Sequence, residues 1–142
     1  MLFVRVARHA GRLLHLTNGV RNLPFSDCVL AVRVGPLHAR ALKLVLWSDQ
    51  WGTEMQIVAR GTTARYITVS DILNLSLPSW YVGKAAALSE VFARHGSLLE
   101  GRNLEDFFRR VAEDLAGRRG VYLTFRNAIS RCQRSWDEGT PV

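Results

Sequence analysis

One apolar stripe limits what this chain can fold into. Leu104, Phe107, Phe108, Val111, Ala112 and Leu115 recur at i, i+3, i+4, i+7, i+8 and i+11, which places six apolar side chains on one face of an α-helix. Asn103 is positioned to cap its start, and Glu105 and Asp106 fall in the first turn, where the helix dipole favours negative charge. A face this apolar has to be covered, so the chain needs a core. Residues 121–136 predict a second helix: Val121, Phe125, Ala128, Ile129, Cys132 and Trp136 share one face, with Arg126, Arg131 and Arg134 off it. Gly117-Arg118-Arg119-Gly120 then reads as the turn of an αα-hairpin. The strand-like composition of residues 121–125 blurs where that second helix begins.

Upstream the pattern alternates. Residues 28–34 are nearly continuously apolar, as a buried strand would be. Residues 39–47 set Leu42, Leu44 and Leu46 opposite Ala41, Lys43, Val45 and Trp47. Residues 54–60 set Met55, Ile57 and Ala59 opposite Glu54, Gln56 and Arg60, and residues 65–69 are rich in β-branched side chains. The connections at 48–52 and 61–63 are short enough for hairpins, so the expected front half is an antiparallel meander. Ser70-Asp71 can cap a short helix to Leu75. Ser79 can cap a longer helix over 80–95, with Tyr81, Ala85, Leu88 and Phe92 in line and Gly96 just past its end. Leu98 and Leu99 are expected in the loop that follows.

The expected fold class is therefore α+β: an antiparallel β meander in the N-terminal half packed against about three helices in the C-terminal half. It reads as one domain of 142 residues, with a basic segment at 1–26, a β-rich part at 27–70, a helical part at 71–136 and a tail at 137–142. Residues 1–26 contain no acid. As a helix, Phe3, Val6, Ala7, Ala10, Leu13 and Leu14 form an apolar arc with Arg5, Arg8 and Arg12 on the far side, the pattern of an amphipathic or mitochondrial targeting segment. As strands, Leu2, Val4 and Val6 alternate with Phe3, Arg5 and Ala7 before a turn at Ala10-Gly11. Both readings stay open, as does whether this segment persists in the mature protein. No apolar run reaches the roughly 18 residues of a transmembrane helix. Cys28 and Cys132 sit within apolar patterns and are expected to be reduced and buried, in an intracellular, reducing compartment.

The sequence lacks the phosphate-cradling and dinucleotide-binding glycine motifs and the nucleophile elbow. His9, His15, His38 and His95 are scattered, with no i, i+4 partner. No catalytic residue, metal or cofactor is expected. Asp49, Glu54 and Asp71 at the ends of predicted strands raise a Mg²⁺-dependent nuclease, but no lysine follows Glu54, and a turn residue, a solvent-facing strand residue and a helix cap are the preferred reading. The net charge of +7 points instead to an anionic partner. Two basic regions flank the middle: Arg5, Arg8 and Arg12, then Arg118, Arg119, Arg126, Arg131 and Arg134. The leading expectation is a non-catalytic protein that binds nucleic acid, RNA ahead of DNA, or a ribonucleoprotein surface, by phosphate contact. The alternative is an accessory or scaffold subunit whose basic patches meet an acidic protein surface, with Trp51, in a predicted turn, as a partner anchor. A helix-turn-helix regulator with Arg126 and Arg131 in a DNA major groove ranks below both, as does the nuclease.

Overall fold

The computed structural model describes residues 1–4, 13–14, 29–52, 57–61 and 65–129. These are mostly helical, which overturns the α+β meander. The α-helices are α1 (Pro36–Trp47), α2 (Val69–Leu73), α3 (Tyr81–Glu100) and α4 (Leu104–Asp114), and α4 runs on into a π-helical turn, Leu115–Arg119. Three short strands, β1 (Leu2–Val4), β2 (Leu13–Leu14) and β3 (Val29–Ala31), pair antiparallel with β1 in the middle. Leu2 registers with Leu14 on one side and Phe3 with Leu30 on the other. Of the span expected as a meander, 27–70, the described residues contribute only β3 and a single bridge between Arg60 and Tyr66. No helix of the described residues is long and apolar enough to cross a membrane.

The largest correction is α1, whose residues 39–47 were expected as a strand. Alternating leucines conceal a helical stripe: Ala41, Leu44, Val45 and Ser48, spaced i, i+3, i+4 and i+7, are all fully buried. Ala and Leu favour the helix, and Pro36 stands in its first turn after Gly35, where a missing N–H costs nothing. At the other end the Ser48 hydroxyl donates to the Val45 carbonyl at 2.6 Å. Ile57 and Val58, expected within a strand over 54–60, are helical and exposed.

Thr68, rather than Ser70, caps α2. The Asp71 N–H donates to the Thr68 hydroxyl at 3.3 Å, and the Thr68 N–H donates to the Asp71 carboxylate at 2.8 Å, a reciprocal capping box. In α3 the helix runs through Gly96 and ends before Gly101. Leu99, fully buried, extends the stripe of Tyr81, Ala85, Leu88 and Phe92 by two more turns, so Leu98 and Leu99 lie in the helix and not in a loop.

The helix expected from Val121 is absent over its first residues. Gly120 takes a left-handed φ of 66°, which closes the π turn. Val121, Leu123 and Phe125 are then buried while Tyr122, Thr124 and Arg126 are exposed, the period-two signature of extended chain. Helical backbone resumes at residues 128–129.

By contact the chain divides into two compact units. One comprises Met1–Arg33, Thr53–Ser76 and Ser130–Val142, and its described elements are the three strands and α2. The other, Val34–Gly52 with Leu77–Ile129, packs α1 on α3 and α3 on α4. Its centre is aromatic. Phe107 meets Phe92 and Phe108 edge-on at 5.6 and 5.1 Å, Trp47 meets Phe108 at 6.0 Å, and Phe108 stacks on Phe125 at 4.9 Å. Each such pair adds about 0.5–1.5 kcal/mol beyond the area it buries.

Candidate anion-binding groove

The apolar stripe of α4 faces the core, so the opposite side of that helix carries its charge. At the edge of the stripe Arg110, Asp114 and Arg118 follow one another at intervals of four, with Asp114 only 9% exposed and Arg118 already in the π turn. The last turns of α3 lie beside them and bring Arg94 and His95. Together Arg94, His95, Arg109, Arg110, Glu113, Asp114, Gly117 and Arg118 line an open groove of about 790 Å³. Four arginines and two carboxylates line it, and Glu90 and Asp106, just outside the lining, pair with Arg94 and Arg109.

Asp114 organises this cluster from beneath. Its carboxylate accepts from Arg94 at 2.6 Å and from His95 Nε2 at 3.1 Å, and Arg118 Nε stands 4.0 Å away. An ionised carboxylate only accepts, so His95 carries its proton on Nε2. Burial pushes the Asp114 carboxyl up, but the bonds and charge of His95 and Arg94 outweigh it and hold the group below the usual carboxylate range. Arg94 also reaches Glu90 at 2.9 Å. Arg109 bonds Asp106, which lowers that carboxyl too, and lies 3.4 Å from Glu113. Arg110 and Arg118 are the least engaged, with nearest carboxylate oxygens at 3.9 and 4.0 Å.

Of the basic residues expected to act together, the three described ones, Arg118, Arg119 and Arg126, have different surroundings. Arg118 lines the groove. Arg119 turns to Glu90 at 2.6 Å, and its carbonyl accepts from Lys84 at 2.7 Å. Arg126 is exposed in a turn, and its backbone N–H donates to Asp49. Arg5, Arg8, Arg12, Arg131 and Arg134 lie outside the described residues, as do Cys28, Cys132 and Glu54. Trp51 is half-buried with its ring edge-on to Trp80 at 5.9 Å.

Both described members of the acidic set have local bonding roles. Asp49 accepts from the N–H groups of Arg126 and Asn127 and from the Thr124 hydroxyl. Asp71 sits in the α2 capping box and pairs with Arg60 at 3.0 Å. Among the described residues no three His, Cys, Asp or Glu side chains are grouped to hold a metal ion.

Arg94, His95, Arg109 and Arg110 also line the groove and are not among the site residues expected from the sequence. The i, i+4, i+8 series of Arg110, Asp114 and Arg118 was readable from the sequence. The approach of Arg94 to Asp114 was not, because it depends on how α3 packs against α4. No protein-family model, curated protein or solved structure matches the chain.

Proposed function

We propose that this is a non-catalytic, basic protein that binds nucleic acid, RNA ahead of DNA, by contacting phosphates with arginine. The observation that carries this reading is the groove beside α4, where four arginines line one concavity and two of them, Arg110 and Arg118, meet no carboxylate oxygen of the described residues closer than 3.9 Å. Guanidinium groups match phosphate oxygens in pairs of parallel hydrogen bonds. Such contacts give affinity that depends on salt and reads little sequence.

RNA comes first because duplex DNA is usually read by a helix laid in the major groove. Arg126, the residue expected at the front of such a helix, stands in a turn after extended chain. Shape and phosphate contact are the ordinary terms of RNA recognition. Arg5, Arg8, Arg12, Arg131 and Arg134, outside the described residues, would add to the positive charge of the chain.

The test is a titration of labelled RNA and duplex DNA across a salt series. Wild-type protein is expected to bind RNA with an affinity that falls steeply with salt. Arg110→Ala and Arg118→Ala should each weaken binding and reduce the salt slope by about 1. Failure to bind either polymer at low salt would refute the reading and leave an acidic protein surface as the partner to pursue.

A further inference from the structure

Of the chain's lysine and arginine residues only two are lysine, Lys43 and Lys84. Arginine stays charged in a protein, whereas lysine gives up its proton readily when it leaves water. The two lysines stand in different surroundings. Lys84 Nζ donates to the Arg119 carbonyl at 2.7 Å. Lys43, on α1 and half-buried against α3, holds its Nζ over the Phe92 ring, 5.9 Å from the centroid. It forms no salt bridge with any described residue.

We propose that Lys43 is a nucleophilic amine, a modification site that takes an acyl group from an acyl thioester. None of the residues lining the arginine groove takes part in it. A lysine is activated when it is desolvated against apolar groups and set beside another cation. Phe92 meets the first condition, since its ring attracts an ammonium only weakly and offers no lone pair to the N–H groups. Arg40 meets the second, one turn back on the same surface of α1. Burial, and then Arg40, hold the ammonium below the usual lysine range, and Glu100 opposes them with a smaller effect. The side chain stays part-exposed, so a small electrophile can reach it.

The neutral amine attacks the thioester carbonyl carbon. A C–N bond forms, the C–S bond breaks with its electron pair on sulfur, and the thiolate takes the proton that nitrogen releases. The products are an amide on Lys43 and a free thiol. A thiolate leaves without a proton first being donated to it, which suits an amine with no acid bonded beside it. Acylation also removes one positive charge where α1 meets α3.

The full chain is incubated with N,S-diacetylcysteamine, a small uncharged thioester, and peptide mass spectrometry follows acetylation of Lys43 and Lys84 from about pH 6.5 to 9.5. Lys43 is expected to react several-fold faster than Lys84 near neutral pH and to reach its plateau at lower pH. Arg40→Gln should slow Lys43 and Glu100→Gln should speed it, while Lys84 keeps its rate in both. Both substituted side chains are exposed, so thermal melts of the variants should match wild type. Equal rates at the two lysines, or faster reaction at Lys84, overturn the proposal. A faster Lys43 whose pH profile matches that of Lys84 and ignores both substitutions also overturns it, since access alone then explains the rate.

Discussion

Asp49→Ala removes the carboxylate that holds residues 124–127 against the end of α1. Its two oxygens accept from the Arg126 N–H at 2.9 Å, the Asn127 N–H at 3.0 Å and the Thr124 hydroxyl at 3.0 Å. The backbone bond from the Asp49 N–H to the Thr124 carbonyl, 2.7 Å, stays. The groups released are exposed, so water replaces the carboxylate and no buried polar group is orphaned. The loss is then that of a helix cap, about 1 kcal/mol, and of one further charge-assisted bond of about the same net value. A total of about 2 kcal/mol lowers the folded-to-unfolded ratio about 30-fold and the melting temperature of a chain this long by about 4–8 °C. Asparagine is as good a cap as aspartate and keeps one acceptor oxygen, so Asp49→Asn should lose less than half as much. Urea unfolding followed by tryptophan fluorescence measures both, since Trp47, Trp51 and Trp80 belong to the same unit. Unchanged stability in the alanine variant would refute the clip. Equal loss in both variants would show that charge, and not hydrogen-bond acceptance, is what residues 124–127 need. A nuclease that used Asp49 as a metal ligand would behave differently, losing activity in the asparagine variant while its stability held.

Phe107→Ala empties a fully buried position ringed by Phe92 and Phe108. It should cost about 3–5 kcal/mol, and a loss under about 1 kcal/mol in urea titration would contradict that packing. Gly96 lies within α3, where an added Cβ meets nothing within 4 Å, so Gly96→Ala should stabilise the protein by about 0.5–1 kcal/mol and raise its thermal midpoint. Acidification should destabilise the fold through Asp114, whose carboxyl is held low in the folded state by His95 and Arg94 against the opposing effect of burial. The unfolded chain then binds the proton more tightly, so this contribution is complete above about pH 4 and is lost as pH falls through the lowered folded value. Asp114→Asn should flatten that acid limb when urea midpoints are compared from about pH 6 to 3.

The helical back of the chain was legible where periodicity and packing agree. The stripe from Leu104 to Leu115 is apolar on one side and charged on the other, and no strand accommodates it. In α1 the periodicity is ambiguous, because Leu42, Leu44 and Leu46 satisfy a period of two while Ala41, Leu44, Val45 and Ser48 satisfy a period of 3.6 residues. Length and composition were the deciding terms. Twelve residues rich in Ala and Leu, opened by a proline, are longer than an ordinary strand and favour the helix. Residues 121–125 were the converse. A helical face can be drawn through Val121 and Phe125, but Leu123 is buried between them. Only extended chain puts all three inside. Gly120, with its positive φ, is the local reason the helix stops before them.

The groove was half legible, because charge along a sequence and charge on a helix surface group differently. Runs without acid, such as residues 118–134, mark where a chain is basic, yet they treat neighbouring arginines as a unit. On a helix, residues four apart are neighbours in space and consecutive ones diverge by about 100°. Arg118 and Arg119 show the consequence: one lines the groove, and the other turns away to Glu90 on α3. The positions that Arg118 does share, Arg110 and Asp114, lie upstream in a stretch whose alternating signs made it look neutral. An acid in such a series does not cancel the site. Asp114 takes Arg94 and His95 on one oxygen while Arg118 stands 4.0 Å from the other, so a single carboxylate holds two cationic or protonatable side chains beside a third. A largely buried carboxylate among arginines is therefore the feature to look for, because it fixes the geometry of the side chains that bond it, here Arg94 and His95 from the neighbouring helix.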